Sequence, residues 1–290
     1  MTRSFSRIGL VGLGLMGGSL AALFRSHVPH AFIVGIDPSS QSRTFSLQKK
    51  WIDLACIDLS ECPTDLDIIF VCTPIHHIKS IMTQLAKQMP ASTLITEIGS
   101  VKSTLATIHK NCIHPGRITL GHPMAGSEKK GITHASQDWL RGATYILISE
   151  TYDHSFKTWL ETLSFKTVVL SLVDHDRYVA AVSHLPYLIA LATTHTLLET
   201  GKEDHALQTL SQLIGPGFKD TTRIAASSRE WGIDITTANK ENLLIGLDRL
   251  SSQINTLKQL LEGNKTAPLQ DYLDQAKSFR DTLTGSTATK

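Results

Sequence analysis

The sequence predicts an α/β fold: an N-terminal Rossmann-type doubly wound parallel sheet followed by an all-α C-terminal domain. Three observations predict it. Short apolar runs alternate with helical periodicity through the first 173 residues, as a chain of βαβ units requires. A G-x-G-x-x-G turn, Gly12 to Gly17, stands between the first apolar run and the first helix. Beyond residue 173 no run reads as a strand, and helical periodicity takes over, as in ENLLIGLDRLSSQINTLKQLLEG. The predicted division is residues 1–173 for the α/β domain and residues 174–290 for the helical one.

The elements follow in order. SRIGLVGL (6–13) is short, apolar and bounded by glycine, as a buried parallel strand should be. A helix opens at Gly14 and runs through Phe24. AFIVGID (31–37) reads as the second strand and LDIIFVCTP (66–74) as the third, ended by Pro74. A helix, HHIKSIMTQLAKQM, leads to the strand TLITEIGS (93–100). A second, VKSTLATIHKN, leads to RITLGHP (117–123). ATYILISE (143–150) and TVVLSLV (167–173) complete the sheet, with the helical SFKTWLETL between them. The last residues, TGSTATK, are polar and expected to fray.

Composition narrows the function classes. At 290 residues the chain holds one large or two ordinary domains, and 41% hydrophobic with 19% charged residues is the balance of a globular protein. A net charge of +2 builds no field for a polyanion, so nucleic acid is not an expected partner. No stretch approaches the roughly 20 apolar residues that cross a bilayer, and no membrane partner is expected. The start, MTRSFSRIGLVGLGL, has its apolar run broken by glycines and does not read as a signal peptide. Cys56, Cys62, Cys72 and Cys112 have neither C-x-x-C nor metal-site spacing. Reduced thiols, a cytoplasmic location and no metal are expected.

The glycine turn points to a nucleotide. Gly12 permits the tight bend, Gly14 lets backbone approach a pyrophosphate, and Gly17 lets helix pack on strand; Leu13, Leu15 and Met16 fill the positions between them. The helix N-terminus adds N–H groups and a positive dipole end. Asp37 ends the second strand, 20 residues after Gly17, where a carboxylate would accept from adenosine ribose hydroxyls and repel a 2′-phosphate. NAD is the cofactor expected, with NADP left open because Arg43 and nearby serines could take a phosphate. Asp37 also reads as the opener of the turn Asp37-Pro38-Ser39-Ser40.

Ligands of such sheets bind beyond the carboxyl ends of the strands. Three marked segments end strands here: Thr73-Pro74, Gly99-Ser100-Val101-Lys102 and Gly121-His122-Pro123. A residue before proline is held extended, so His122 continues its strand with its ring at the rim. Histidine there can accept a proton from a hydroxyl near neutral pH. Ser100 reads either as the N-cap of the helix that follows or as a hydroxyl offered to substrate. Lys102 reads as a solvated first-turn residue, or as a second-rank ligand for phosphate or carboxylate. In the helical domain Asp176, Ala180, His184, Tyr187 and Leu191 share roughly one face, while Pro186 interrupts their helix and frees the Val182 carbonyl. That face is either a polar site or a satisfied core histidine with its neighbours. Arg223, in GPGFKDTTRIA, is the best carboxylate clamp, against the reading of a surface arginine.

GLGLMGGSL, TEIGSVK, GHPMAGSEKKG, DHDRYVAAVSHLP and GFKDTTRIA, in this order, resemble the prephenate dehydrogenase family, arogenate dehydrogenases included, over about residues 6–260. HPMAG and SHLP are its specific segments; many dehydrogenases share the glycine turn. The resemblance implies NAD-dependent oxidative decarboxylation of prephenate to 4-hydroxyphenylpyruvate, in tyrosine biosynthesis. It implies His122 as the base for the ring hydroxyl and Ser100 as a hydrogen-bonding group near hydroxyl and nicotinamide. Arg223 would bind a substrate carboxylate, with Glu128, Asp176 and His184 as a polar shell between domains. Residues 174–290 would form a homodimer and help bind substrate. Some relatives specific for prephenate carry a second histidine where this chain has Tyr187, near the substrate side chain, so arogenate is the alternative substrate. A β-hydroxyacid dehydrogenase would place a key lysine on the helical domain, and SHLPY contains none. A nucleotide-sensing protein without turnover would bind the cofactor and reduce none of it.

Overall fold

The computed structural model describes residues 4–108, 117–202, 206–263 and 266–285. Cys112 lies outside the described residues; Cys56, Cys62 and Cys72 are free thiols. Eight strands, β1 (Arg7–Val11), β2 (Phe32–Ile36), β3 (Leu54–Cys56), β4 (Ile68–Val71), β5 (Leu94–Glu97), β6 (Ile118–Pro123), β7 (Thr144–Ile148) and β8 (Lys166–Leu170), form one sheet. Their order is β3-β2-β1-β4-β5-β6-β7-β8. The first six are parallel in the order of a doubly wound dinucleotide fold.

Two features depart from the sequence expectation. β7 runs antiparallel to β6, pairing His122 with Ile146, and β8 then runs parallel to β7. A parallel return needs a long crossover, usually helical. Residues 124–143 contain only the 3₁₀ turns Ile132–His134 and Gln137–Trp139, so the strand comes back antiparallel. β3 was not anticipated, because three edge residues are too few to show a period.

α1 (Leu15–His27), α2 (Ser40–Gln48), α3 (Ile75–Gln88) and α4 (His154–Thr162) belong to the sheet portion. Alternation along the strands divides the core into two layers. Ile8, Leu10, Ile68 and Phe70 face α1 and α4 and meet Leu20, Phe24, Phe156 and Trp159. Val11, Ile69 and Val71 face α3 and meet Ile78, Met82 and Leu85. The first layer is ring-rich: Phe24 and Phe70 lie 5.1 Å apart, and Phe156 and Trp159 stack at 6.1 Å. Truncating one such ring to alanine costs about 3–5 kcal/mol.

From α5 (Leu172–Val179) on, every described element is helical. A π-helical turn, Ala180–His184, leads into α6 (Leu185–Lys202). The Leu185 N–H donates to the Ala180 carbonyl, five residues back. This wider turn accommodates Pro186, so the helix continues where the sequence suggested an interruption. α7 (Leu207–Leu213), α8 (Pro216–Thr222) and α9 (Arg229–Ala238) follow. α10 (Lys240–Glu262) and α11 (Thr266–Thr284) end the fold. The chain divides into two compact units at Asn242, with α5 to α9 in the sheet-bearing one. In the second unit the Tyr272 hydroxyl donates to Gln253 at 3.2 Å, while Ile254, Leu261, Leu273 and Phe279 are exposed. Among the described residues no helix is long and apolar enough to cross a membrane.

Candidate active site

The glycine turn has the geometry that its spacing implies. Gly12 has φ +95°, a conformation that favours glycine. A Cβ on Gly17 would sit 1.9 Å from the Gly12 carbonyl oxygen, so α1 could not pack so close to β1 with any other residue. Nothing lies within 4 Å of where a Cβ on Gly14 would be, and no side chain caps α1 there. The N–H groups of its first turn are left for an anion. Asp37 opens the turn, as one of its two sequence readings has it. Its Oδ2 accepts from the Leu13 N–H at 2.6 Å and its Oδ1 from the Ser39 N–H at 2.8 Å, while Arg43 donates to its carbonyl at 2.6 Å.

A cavity of about 620 Å³ opens beside this turn, at the carboxyl ends of β1, β4, β5 and β6. Gly14, Leu15 and Met16 line it from the turn. Thr73 and Pro74 line it after β4, Ser100 after β5, and His122 at the end of β6. Gly12, Leu13, Gly17 and Asp37 shape the turn from behind and are not in the wall. The Thr73 and Ser100 hydroxyls are buried without a hydrogen-bond partner. Buried polar groups are normally satisfied, so these two hydroxyls mark where a ligand's polar atoms belong. With the open Gly14 and the uncapped helix, they fit a dinucleotide. The N-cap reading of Ser100 is corrected: its side chain caps nothing, and Val101 to Ile108 hold only the 3₁₀ turn Ser103–Leu105. The expected α-helix is not formed there, and its remaining residues, 109–111, lie outside the described residues.

His122 heads a hydrogen-bonded chain. Its Nδ1 lies 3.0 Å from Nε2 of His175, whose Nδ1 lies 2.7 Å from Oδ1 of Asp176. Asp176 also accepts from the backbone N–H groups of Lys102 and Ser103, each at 2.8 Å. A carboxylate only accepts, so His175 carries its proton on Nδ1 and offers a lone pair at Nε2. His122 must then carry its proton on Nδ1, which leaves Nε2 as a lone pair. Burial holds the His122 imidazole well below its ordinary pKa, helped by the Lys102 cation and by the neighbouring imidazoles of His175 and His184, which disfavour a second proton there. Burial likewise lowers His175. Burial pushes the Asp176 carboxyl up, but its three hydrogen bonds outweigh that and hold it low. Gly121 exists because the ring of Tyr145 passes 2.4 Å from where its Cβ would be.

The other expected side chains are divided between the wall and the layer behind it. Glu128 and Arg223 line the mouth, and Arg223 Nη1 donates to Glu128 Oε2 at 2.7 Å. Asp176, His184 and Tyr187 are buried behind the wall, where they pack against groups of α9 and its end rather than opening on the cavity. The Asp176 carbonyl accepts from Asn239 Nδ2, and His184 Nδ1 lies 3.3 Å from that same nitrogen. His184 and Tyr187 meet Trp231 edge-on, at 6.1 and 5.1 Å, and it is Trp231 that faces the cavity. Burial pulls His184 down to about 4, so it is neutral near pH 7.

Two family models match the chain: the nucleotide-binding domain of prephenate dehydrogenase over residues 20–168, and the dimerization domain of prephenate dehydrogenase over residues 172–275. The chain belongs to the prephenate dehydrogenase family. A prephenate dehydrogenase of Bacillus subtilis is 28% identical over 98% of this chain and 77% of its own length. The structure of a prephenate dehydrogenase from Aquifex aeolicus, in complex with hydroxyphenyl propionate and NAD+, is 28% identical, with a TM-score of 0.88 over 98% of this chain and 100% of that one. An arogenate dehydrogenase structure from Synechocystis is also 28% identical, with a TM-score of 0.76 over 96% of this chain and 99% of that one.

Within this member of the prephenate dehydrogenase family, three site residues escaped the sequence reading. His175 carried a signal: it stands four residues before Val179 and shares the buried side of α5 with Asp176. Trp231 carried none beyond its size. Asp234 lines the cavity and accepts from the Ile75 N–H at 2.8 Å and from His76 at 2.7 Å. Pro74 has no side chain that can cap α3, so α9 supplies the cap from 159 residues away. The solvated reading of Lys102 is overturned, because its side chain is wholly buried. Its ammonium donates to Glu97, to the Gly99 carbonyl at 2.7 Å and to the Gly121 carbonyl.

Proposed function

We propose that the chain catalyses NAD-dependent oxidative decarboxylation of prephenate to 4-hydroxyphenylpyruvate. One observation carries this reading: a neutral histidine at the cavity wall has its Nδ1 proton committed inward and its Nε2 lone pair left over. His122 takes the proton of the ring 4-hydroxyl. The carbon–hydrogen bond at that ring carbon breaks and its electron pair leaves as hydride. The bond from ring to carboxylate then breaks, CO₂ departs, its electron pair completes the aromatic ring as a phenolate, and the phenolate oxygen takes the proton back from His122. NAD, when bound, supplies the hydride acceptor. Ser100 donates to the reacting oxygen, and its partnerless hydroxyl at the wall supports that role. Aromatisation drives the reaction, so the chain need only hold base, hydroxyl and acceptor in line. Gly12 to Gly17, Asp37, Thr73 and Pro74 hold the dinucleotide, and the Asp37 carboxylate disfavours a 2′-phosphate.

Absorbance of reduced nicotinamide tests the reading, with prephenate and arogenate each offered with NAD and NADP. The expected order is prephenate with NAD first. Arogenate is the second candidate, and a higher kcat/KM for arogenate would replace prephenate with it. No reduction with either acid would remove the enzyme reading.

Arg223 is the clamp for a substrate carboxylate in this reading, exchanging Glu128 for the ligand. Arg223→Lys loses the two-pronged donor geometry. KM for the acid should rise about 10-fold, roughly 1.4 kcal/mol, with KM for NAD unmoved. Equal losses for both substrates would place Arg223 in the fold instead. Residues 174–290 form the dimerisation and substrate portion in this reading, supported by the exposed apolar side chains of α10 and α11. Sedimentation should give twice the chain mass at micromolar concentration, and a monomer would refute the homodimer.

A further inference from the structure

Lys102 has three acceptors for its three protons: a Glu97 oxygen, the Gly99 carbonyl and the Gly121 carbonyl. A neutral amine could donate only twice, so the geometry is that of an ammonium. Glu97 is a carboxylate by the same count, since it accepts from Lys102, from the Gly99 N–H at 2.7 Å and from the Gly121 N–H at 3.3 Å. Both side chains are wholly buried, although burial disfavours the charge on each. A pair this costly to bury is weak evidence for stability, since an apolar pair of similar volume often serves as well or better.

Its position suggests another use. Gly99 immediately precedes Ser100, and Gly121 immediately precedes His122. The same ammonium therefore holds the peptide before each of the two residues that face the reacting oxygen. The circuit then closes through the backbone. The Lys102 N–H donates to Asp176, Asp176 accepts from His175, and His175 meets His122. We propose that Lys102 is a positioning residue that locks the ends of β5 and β6 at one spacing, so that Ser100 and His122 converge on one substrate oxygen.

This inference rests on the proposed reaction, and its test is arranged so that the two can fail separately. The variant is the double substitution Glu97→Gln with Lys102→Met. It removes both buried charges while keeping near-native volumes, so no unpaired charge is left inside. Expected results are a kcat lower by about 10- to 100-fold, as small misplacements of reacting groups give, and a Kd for NAD within about twofold of wild type. The groups facing His122 are His175, His184 and Lys102. Loss of the lysine cation should raise the His122 pKa, read by NMR of its imidazole and as an acid limb of kcat moved to higher pH. Glu97→Gln alone strips the ammonium of its counter-ion but leaves it on both carbonyls, so it should lower Tm while holding kcat within about threefold. A double variant with wild-type kcat, or a single variant as impaired as the double, would overturn the proposal. A double variant that does not fold leaves the single variant as the deciding measurement. Should wild type reduce no NAD with either acid, the spacing itself decides: a crystal structure of the double variant with Ser100 and His122 at their wild-type separation overturns the positioning role.

Discussion

His122→Asn should lower kcat by roughly 10²–10⁴, or about 3–5 kcal/mol of barrier, with a much smaller change in substrate affinity. Asparagine keeps a hydrogen-bonding group of similar size, but its amide cannot accept a proton into a cation. The pH profile sharpens the test. Burial sets the His122 pKa well below the ordinary 6.5, so the neutral base persists at pH values where a free histidine is charged. The acid limb of wild-type kcat should therefore lie below pH 6.5 and vanish in the variant. Stability shares the sign. His122 and His184 bind a proton more readily unfolded, with His184 held at about 4 when folded. Stability should fall as pH drops below about 6.5, and this loss continues toward 4 for His184. The variant should lose part of that acid sensitivity. A His122→Asn protein with near-normal kcat, or with its acid limb retained, would exclude His122 as the base.

The residues whose places were legible in advance are those set locally. Gly12, Gly14 and Gly17 need only their own turn, and Asp37 needs only to end the strand beside it. His122 needs only a proline after it and a strand before it. The residues that were misread take their roles from distant partners. VKSTLATIHKN has helical periodicity, yet Lys102 and Ser103 give their N–H groups to Asp176, over 70 residues away, and the lysine turns inward to Glu97. Asp176 and His184 share roughly one helical face, which reads either as a polar site or as a satisfied core histidine with its neighbours. Asn239 and Trp231 draw that face into the interior, and neither partner is near in sequence. The reversal at β7 was hidden because strand periodicity carries no direction; only the missing crossover helix gives it away.

Asp176→Asn should lower kcat by about 10²–10³ and destabilise the fold by roughly 1–3 kcal/mol. The stability loss follows from donor count. Asp176 accepts from Lys102, Ser103 and His175 at once, and an amide has a single acceptor oxygen. At least one buried donor is left unpaired, which costs about 1–3 kcal/mol. The catalytic loss follows from the tautomers. When the new amide donates to His175 Nδ1, the His175 proton must move to Nε2 and be offered to His122 Nδ1. The His122 proton then sits on Nε2, where the substrate hydroxyl should have met a lone pair. A wrong tautomer of a catalytic histidine costs up to about 10⁴ in kcat where the carboxylate touches the base directly, and one intervening ring moderates the effect. Asp176→Asn should therefore keep the Kd for NAD, since the carboxylate lies outside the cavity wall. It should give a histidine nitrogen NMR pattern with His122 protonated on Nε2. A variant that loses stability while keeping kcat and the wild-type pattern would reduce Asp176 to a structural clamp and detach His175 from the chemistry.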